Sequence, residues 1–490
     1  MNLRLNWAGP SVLVLISACA APTQEPSQNT AAQSGEAQSE EIGQTTPTLL
    51  TADVARSTDP KQALAPRALL RHRSRKDPDA KRHATGRREL TPQESQAYKL
   101  TTPKVVAVRP TQLLVERMRE ASALKSAEAK TLESNVVPFG NDIVTASPGE
   151  ASAPVPLAAA TALPRAVDNS TSPAFPEIRD QGSENSCVAF AVGYYQYTYA
   201  LGKLLGWNNK NSINTTKVSP KFLYNLANSG GDYGTGPGTV HDILRTQGAL
   251  TWSEFPYSGD ASNPTNYLAW PTTAALWKSA LRYKSLGPAS VGSPTEPGGI
   301  EQAKSLLANG QVLTFSTYIY SWEFEQVDND PSTSADDGLV GQQIATWQNG
   351  SDGGHEATLV GYNDDLWVDI NANGVVDSGE KGAFKIANSW GASWKNAGYA
   401  WVAYDALRAV SQVPNGPSSD LRMPLIGGIM ALAGANTNYQ PKLLAEFTVS
   451  TASRGELRLA LQQTELDRAD PVDEYQPTMF QFGGGNYAFD

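Results

Sequence analysis

The spacing of apolar residues changes several times along this chain, and each change marks a different kind of segment. A short apolar run, Ser11 to Ala18, follows a lone early arginine, Arg4. From Ala20 to about Pro60, polar Thr, Ser, Gln and Glu mix with Ala and Pro without any period. Such a stretch has too few apolar groups to offset its ordering entropy, so it reads as a solvated tether. Leu113, Leu114, Met118, Ala121 and Leu124 then recur at helical spacing, which predicts an amphipathic helix over about Thr111 to Ser134. A Pro- and Ala-rich linker, Ser147 to Ala160, separates that helix from the dense part of the chain.

The dense part begins near Leu163. Val188 to Leu205 is a long apolar-rich helix candidate that Cys187 would start, and Thr239 to Gln247 and Gly299 to Asn309 read as shorter helices. Gln311 to Tyr318, Ala357 to Tyr362, Gly382 to Ala387 and Tyr399 to Ala403 read as strands by β-branched and aromatic alternation. Helices first and strands later predict an α+β body in two parts. Leu425 to Ala433 is apolar but too short to cross a bilayer. Leu443 to Val449 and Glu456 to Leu461 flank Ser453-Arg454-Gly455 as the arms of a hairpin would. The expected division is a signal segment over 1–19, a disordered tether with a basic block over 20–110 and a helix with linker over 111–162. The main domain is expected over 163–410, with a small β appendage over 436–490.

With 490 residues, 40% of them hydrophobic, the chain can bury a large core, and its net charge of −10 argues against general nucleic-acid binding. The basic block, which includes Arg67, Arg71, Arg73, Arg75, Lys76, Lys81, Arg82, Arg87 and Arg88, is either a disordered, protease-sensitive segment or a contact for anionic lipid or an acidic partner. There are only two cysteines. They cannot form a disulfide framework when one closes the N-terminal apolar segment, so an exported chain would carry a single unpaired thiol. Arg4 and the apolar run predict an export signal. Ile16-Ser17-Ala18-Cys19 resembles the lipobox of bacterial lipoproteins, which implies a lipid on Cys19 and attachment to a membrane. Ala18-Cys19-Ala20 can also be read as a small-x-small cleavage site, which would give a freely secreted protein. The expectation is an exported bacterial monomer, anchored or secreted.

The other cysteine carries the chemistry. A thiol is a useful nucleophile only as thiolate, and a helix N-terminus with a nearby imidazolium lowers its pKa. Cys187 opens the long helix, and His355, after two glycines at the start of a strand, can supply the imidazole. Asn388, in Asn388-Ser389-Trp390-Gly391, ends another strand and can orient that ring. Gln181 can aim its amide N–H at a developing oxyanion beside the backbone N–H of Cys187.

In these residues the chain resembles the papain family of cysteine peptidases, over roughly Leu163 to Tyr404. The order Gln, Cys, His, Asn is shared, as are Asn-Ser-Trp-Gly and the following Gly398-Tyr399. The resemblance implies a papain-like two-subdomain fold, a helical half holding the nucleophile helix and an antiparallel β half. It also makes the helix and linker over 111–162 a candidate pro-segment, removable or autoinhibitory, that could cover the cleft. It implies Cys187 as nucleophile, His355 as general base then acid, Asn388 as its orienting group and Gln181 in the oxyanion hole, with Trp390 covering the pair. Tyr233-Gly234-Thr235-Gly236-Pro237-Gly238 aligns with the glycine strip that holds peptide substrate as an added strand, which implies substrate contacts at Pro237 and Gly238. There are four departures from the family pattern. Val188 replaces an aromatic, Glu184 and Thr235 stand where the family has bridging cysteines, Pro237 replaces a glycine, and an insertion separates His355 from Asn388. Glu356, beside the histidine, either lines a specificity pocket for a basic side chain or faces solvent. His241 lies on a helix face and reads as a packing or surface residue, not a catalytic one.

Inside the insertion, Asp369, Asn371, Asn373, Asp377 and Glu380 fall at positions 1, 3, 5, 9 and 12 of an EF-hand-like loop. Gly374 occupies position 6, and Val375 would donate its carbonyl at position 7. The spacing predicts a structural calcium site, with a metal-free Asx/Gly turn as the other reading. No cofactor is expected for catalysis. The functional expectation is an exported cysteine endopeptidase acting on peptide or protein through a thioester acyl-enzyme. The alternative is a catalytically silent, papain-like peptide-binding or adhesion lipoprotein.

Overall fold

The computed structural model describes residues 82–121, 132–148, 163–211, 213–418 and 425–441, together with Asp77 and five short strands nearer the termini. Eleven strands form one sheet: β1 Lys104–Val108, β2 Ile143–Ala146, β3 Ala166–Asp168, β4 Pro288–Gly292, β5 Leu313–Tyr318, β6 Trp322–Gln326, β7 Gln343–Gln348, β8 Gly354–Trp367, β9 Lys381–Ala387, β10 Tyr399–Ala403 and β11 Ile429–Leu432. Their order is β2-β1-β4-β11-β5-β8-β9-β10-β7-β6, with β3 paired to the outer part of β8. All pairs are antiparallel except β1 with β4 and β7 with β10.

The sheet is wider than the sequence division suggests. β1 and β2 come from residues before Leu163, and β11, from the apolar run at Leu425 to Ala433, lies between β4 and β5. The described terminal strands do not form the expected hairpin. Leu444–Thr448 pairs with Asn2–Asn6, and Leu459–Thr464 lies between Leu13–Ala18 and Asp473–Tyr475.

Two apolar cores back the sheet and the helices. One gathers Leu313, Phe315, Leu359, Phe384, Ile386 and Trp401 from the strands with Leu306 and Leu307 of a flanking helix. The other gathers Cys187, Val188, Leu201, Phe222, Leu223, Val240 and Leu244. Phe190, Tyr194, Tyr195, Tyr199 and Phe175 form an aromatic cluster with Val360 and Ala387 of the strands. The helices relevant to the site are α1 Pro92–Thr101, α2 Gln112–Glu120, α3, α4 Pro220–Ala227, α5 Pro237–Thr246 and α6 Gly299–Ala308.

α3 begins at Cys187, winds as a π-helix over Ala189–Tyr197 and continues as an α-helix over Thr198–Leu205. Every residue of the π stretch is buried, as expected of a helix that is apolar all round.

The helix predicted over Thr111 to Ser134 is described only in part, as α2. Thr111 caps it by accepting the N–H of Leu114, and Leu114, Val115 and Met118 are buried, the first and last of them in the sheet core. Arg117 donates to the carbonyls of Leu307 and Ala308 at the end of α6, where a cation complements the helix dipole. α2 therefore packs on the sheet side of the molecule and does not cover the cleft. Among the described residues, no helix is long and apolar enough to cross a membrane. Cys19 lies outside the described residues.

Candidate active site

Cys187 is fully buried at the first turn of α3, where the N–H groups of Val188 and Glu356 bond to its thiol. His355 stands near the start of β8, and Asn388 directly follows β9. Because β8 and β9 pair antiparallel with Thr358 opposite Ala387, the two side chains meet at one end of the sheet. His355 Nε2 lies 2.7 Å from Asn388 Oδ1, which also accepts the N–H of Ser389 at 2.8 Å. The Ser389 bond identifies that atom as oxygen, so Nε2 carries the ring proton. Nδ1 is left with a lone pair for a thiol proton and has no hydrogen-bond partner among the described residues. Trp390 lies over the imidazole, ring centroids 4.9 Å apart.

Gln181 is held just as closely. Ser389 Oγ donates to Gln181 Oε1 at 2.6 Å, and the Gln181 N–H donates to the Ser389 carbonyl at 2.8 Å. With its oxygen occupied, the side chain presents its NH2 group to the Glu184 carbonyl, at 2.8 Å, and to the cleft. The Asn-Ser-Trp-Gly stretch thus orients both the imidazole and the Gln181 amide. The part played by Ser389 was not read from the sequence; its place beside Asn388 was the only signal.

The Gln181 amide already holds a peptide carbonyl. Its Nε2 donates to Thr85 O at 3.0 Å, and Trp390 Nε1 donates to Ala84 O at 2.8 Å. His83 stacks on the Trp390 ring with centroids 4.7 Å apart. The chain then passes between two walls. Arg87 N–H donates to Gly354 O at 3.0 Å, Thr235 N–H to Gly86 O at 2.8 Å, and Arg88 N–H to Thr235 O at 2.9 Å. Within the tether expected through 110, residues 82–110 are therefore structured, and residues 83–90 fill the cleft.

The approach is close enough to require glycine on both sides. A Cβ on Gly86, whose φ is +120°, would sit 1.9 Å from Asn185 O. One on Gly234, at φ +77°, would sit 2.1 Å from Gly86 O.

The strip residue that bonds the segment is Thr235. Pro237 and Gly238, the positions expected to hold substrate, instead open α5; Pro237 is buried, and the Tyr98 ring of α1 lies against Gly238. A proline is favoured at this first helical position because it has no N–H to leave unpaired. Glu184 and Thr235, which replace bridging cysteines, are both buried. Burial and nearby Asp232 push the Glu184 carboxyl up to about 7, and Thr235 Oγ1 donates to Ala227 O. His241 is buried on α5 and held neutral, its pKa lowered to about 3 by burial, in keeping with packing.

The covered site is chemically quiet. Burial pushes the Cys187 thiol up to about 12, the two N–H bonds opposing it only in part. Burial lowers His355 to about 4 against the Asn388 bond, which favours the charged ring. Both groups are therefore neutral at pH 7.

In the insertion, the side-chain ends of Asn371 and Asn373 meet Asp377 Oδ2 at 2.7 and 2.5 Å, and Gly374 takes the turn at φ +76°. Asp369 accepts the N–H groups of Asn373 and Gly374. The buried Glu380 carboxylate accepts four N–H groups, from Ile370, Asn371, Asp377 and the Trp367 indole. Among the described residues, no three His, Cys, Asp or Glu side chains are grouped to hold a metal ion. A cation here would rest on oxygens of Asp369, Asn371, Asn373 and Asp377 with the Val375 carbonyl, and Asn371 and Asn373, which now turn their NH2 groups to Asp377, would have to turn their oxygens instead. The Glu380 carboxylate would have to exchange N–H partners to join them.

No family model matches the chain, and none of the curated proteins matches it. Solved structures do overlap with it. Xylellain, a cysteine protease from Xylella fastidiosa, is 21% identical, with a TM-score of 0.37, over 55% of this chain and 86% of that one. Bromelain protease from Ananas comosus is 18% identical, with a TM-score of 0.35, over 55% and 99%. Procathepsin B from Trypanosoma congolense is 16% identical, with a TM-score of 0.35, over 56% and 78%. At these scores the overlaps carry no weight beside the geometry of the cleft.

Proposed function

We propose that this chain is a papain-like cysteine peptidase held in a self-covered form. The observation that carries the reading is the Gln181 amide on a peptide carbonyl, 3.0 Å from Thr85 O, in the cleft that holds Cys187 and the His355–Asn388 pair. A substrate carbonyl in that place has its oxygen polarised, as an oxyanion hole requires. His355 Nδ1 takes the thiol proton, Sγ attacks the carbonyl carbon, and the amine leaves with the proton that His355 returns. Water then hydrolyses the thioester, with the imidazole again as base.

The covering segment keeps the thiol protonated, so activity requires its displacement. The geometry supports residues 83–90 in this role, in place of the helix first expected to do it. Export, with lipid attachment at Cys19, and action as a monomer on peptide or protein belong to the same proposal and rest on the N-terminal sequence. A structural calcium in the 369–380 loop rests on its oxygen spacing and takes no part in the chemistry.

The test is casein hydrolysis by the full chain before and after limited proteolysis of the segment between Arg82 and Pro103, beside Cys187→Ala. Nicking should raise the rate at least tenfold in the parent and leave Cys187→Ala silent. A nicked parent as slow as its Cys187→Ala variant would overturn the reading in favour of a peptide-binding module.

A further inference from the structure

Arg87 is the one long side chain of the covering segment that descends beside the nucleophile, and only 8% of it is exposed. Its backbone bridges both walls of the cleft, with its N–H on Gly354 O and its neighbours on Thr235. Its Nε donates to Ser316 Oγ at 3.0 Å, and that hydroxyl donates in turn to Glu356 Oε2. Ser316 and Glu356 face each other across β5 and β8, one residue beyond the pairing of His355 with Thr317. Glu356 is 1% exposed, and the cation of Arg87 lies within its electrostatic reach.

A carboxyl group buried next to a catalytic cysteine is costly unless a partner compensates it. Among the described residues of the cleft walls none supplies a cation there; the positive charge comes from the removable segment. When the segment leaves, the pocket keeps an acid and a hydroxyl at its base and lacks the group that satisfied them.

We propose that the pocket of Ser316 and Glu356 selects peptides by a basic side chain, arginine ahead of lysine, placed as Arg87 is placed. The claim rests on the peptidase reading above and names its substrate class. Arginine leads because its planar fork can bond the hydroxyl and the carboxylate together, whereas lysine offers a single point charge. The covering segment uses the same recognition to hold the cleft shut.

The experiment has two arms on the full chain. In the first, the nicked protein is given a fluorogenic peptide series with Arg, Lys, Leu or Glu at each position N-terminal to the scissile bond. One position should show kcat/KM for Arg at least tenfold above Leu. Glu356→Gln should reduce that ratio by about tenfold or more, the value of a hydrogen bond to a charged group. A parent that prefers Leu at every position, or an Arg preference that survives Glu356→Gln, overturns the proposal.

The second arm does not depend on catalysis. The rate of protease nicking at 82–90 is compared for the parent, Arg87→Leu, Glu356→Leu and the double variant. If the pocket recognises a cation, Arg87→Leu speeds nicking about tenfold in the parent background and much less in Glu356→Leu. Additive effects overturn the proposal even where no peptide is cleaved. A silent enzyme with coupled effects removes the peptidase reading and keeps the cation pocket.

Discussion

Two N-terminal segments, α2 and residues 83–90, make opposite use of their sequences. α2 has a clean apolar stripe and uses it to join the sheet core through Leu114 and Met118. Residues 83–90, His-Ala-Thr-Gly-Arg-Arg-Glu-Leu, have no stripe, yet they occupy the cleft. A side-chain period reports which face is buried and is silent about backbone pairing. The cleft binds main chain, through Gly354, Thr235, Gln181 and Trp390, and adds charged side-chain anchors at Arg87, on Ser316, and at Glu89, on the Tyr318 hydroxyl. The helix is held by transfer of apolar area from water and the segment by directional bonds, so the two should fail in different ways.

The sharpest break comes at Gly86. Gly86→Val brings a branched side chain onto Asn185 O in a backbone conformation that valine rarely adopts. The segment should be expelled while the body keeps its core, so the full chain gains activity at least tenfold without nicking. A Gly86→Val chain as slow as the parent, with an unchanged melting temperature, would show that the segment does not restrain the cleft. Leu114→Ala addresses the other side of the comparison. It empties a fully buried position and should cost about 2–5 kcal/mol of stability in a denaturant titration. It should not release activity below the melt; release there would tie α2 to the cleft after all.

The same contrast explains what the sequence disclosed. Cys187 at a helix start, His355 entering a strand and Asn388 ending one could be read because each role needs a particular residue type at an element boundary. The α3 helix and strands β5, β8, β9 and β10 followed from their apolar patterns. Ser389 escaped notice because a serine has many uses, and only the folded chain brings its hydroxyl to Gln181. Pro237 was read as part of a substrate strip because alignment carries positions and not helix starts; the chain spends that proline on opening α5. The terminal hairpin failed for a related reason. Alternation predicts strands without naming their partners, and β11 likewise went to the middle of a sheet from which it is distant in sequence.

The Arg87 anchor makes a smaller, pH-dependent prediction. Burial raises Glu356 to about 7, opposed by Ser316 and by the charge of Arg87. A carboxyl raised in the folded state contributes stability that is full below its ordinary pKa of 4.5 and is lost as pH rises through 7. Gln has no such loss. The stability of Glu356→Gln relative to the parent should therefore rise between pH 4.5 and 7, by on the order of 1–3 kcal/mol. His355 runs the other way: lowered to about 4, it takes stability from the fold as pH falls from about 6.5 to 4. In the parent these windows overlap and oppose each other. In Glu356→Gln this opposing carboxyl is gone while Glu184, His241 and His355 are unchanged, so between pH 4.5 and 7 the variant's stability should rise more steeply with pH than the parent's. Parallel pH profiles for the two proteins would mean that Glu356 is not buried as the covered cleft has it.

The 369–380 loop resembles the covering segment more than the helix, since polar groups and not apolar area hold it. Its internal bonds already satisfy Asp369 and Glu380, so removing a cation should loosen the loop and leave the sheet beneath intact. Sites of this weakly charged kind bind calcium at roughly 10⁻⁴–10⁻³ M. Saturation at about ten times the dissociation constant is then worth only about 1.4 kcal/mol. For a body of this size that is a shift of about 3–6 °C in melting temperature. Excess chelator against 10 mM calcium should produce such a shift, and Asp377→Ala should abolish it. Because the loop joins β8 to β9, and so His355 to Asn388, any casein hydrolysis by the nicked chain should slow when the ion is removed. An identical melt with and without chelator would remove the metal and leave the loop closed by its own hydrogen bonds, as tightly as the structure draws it.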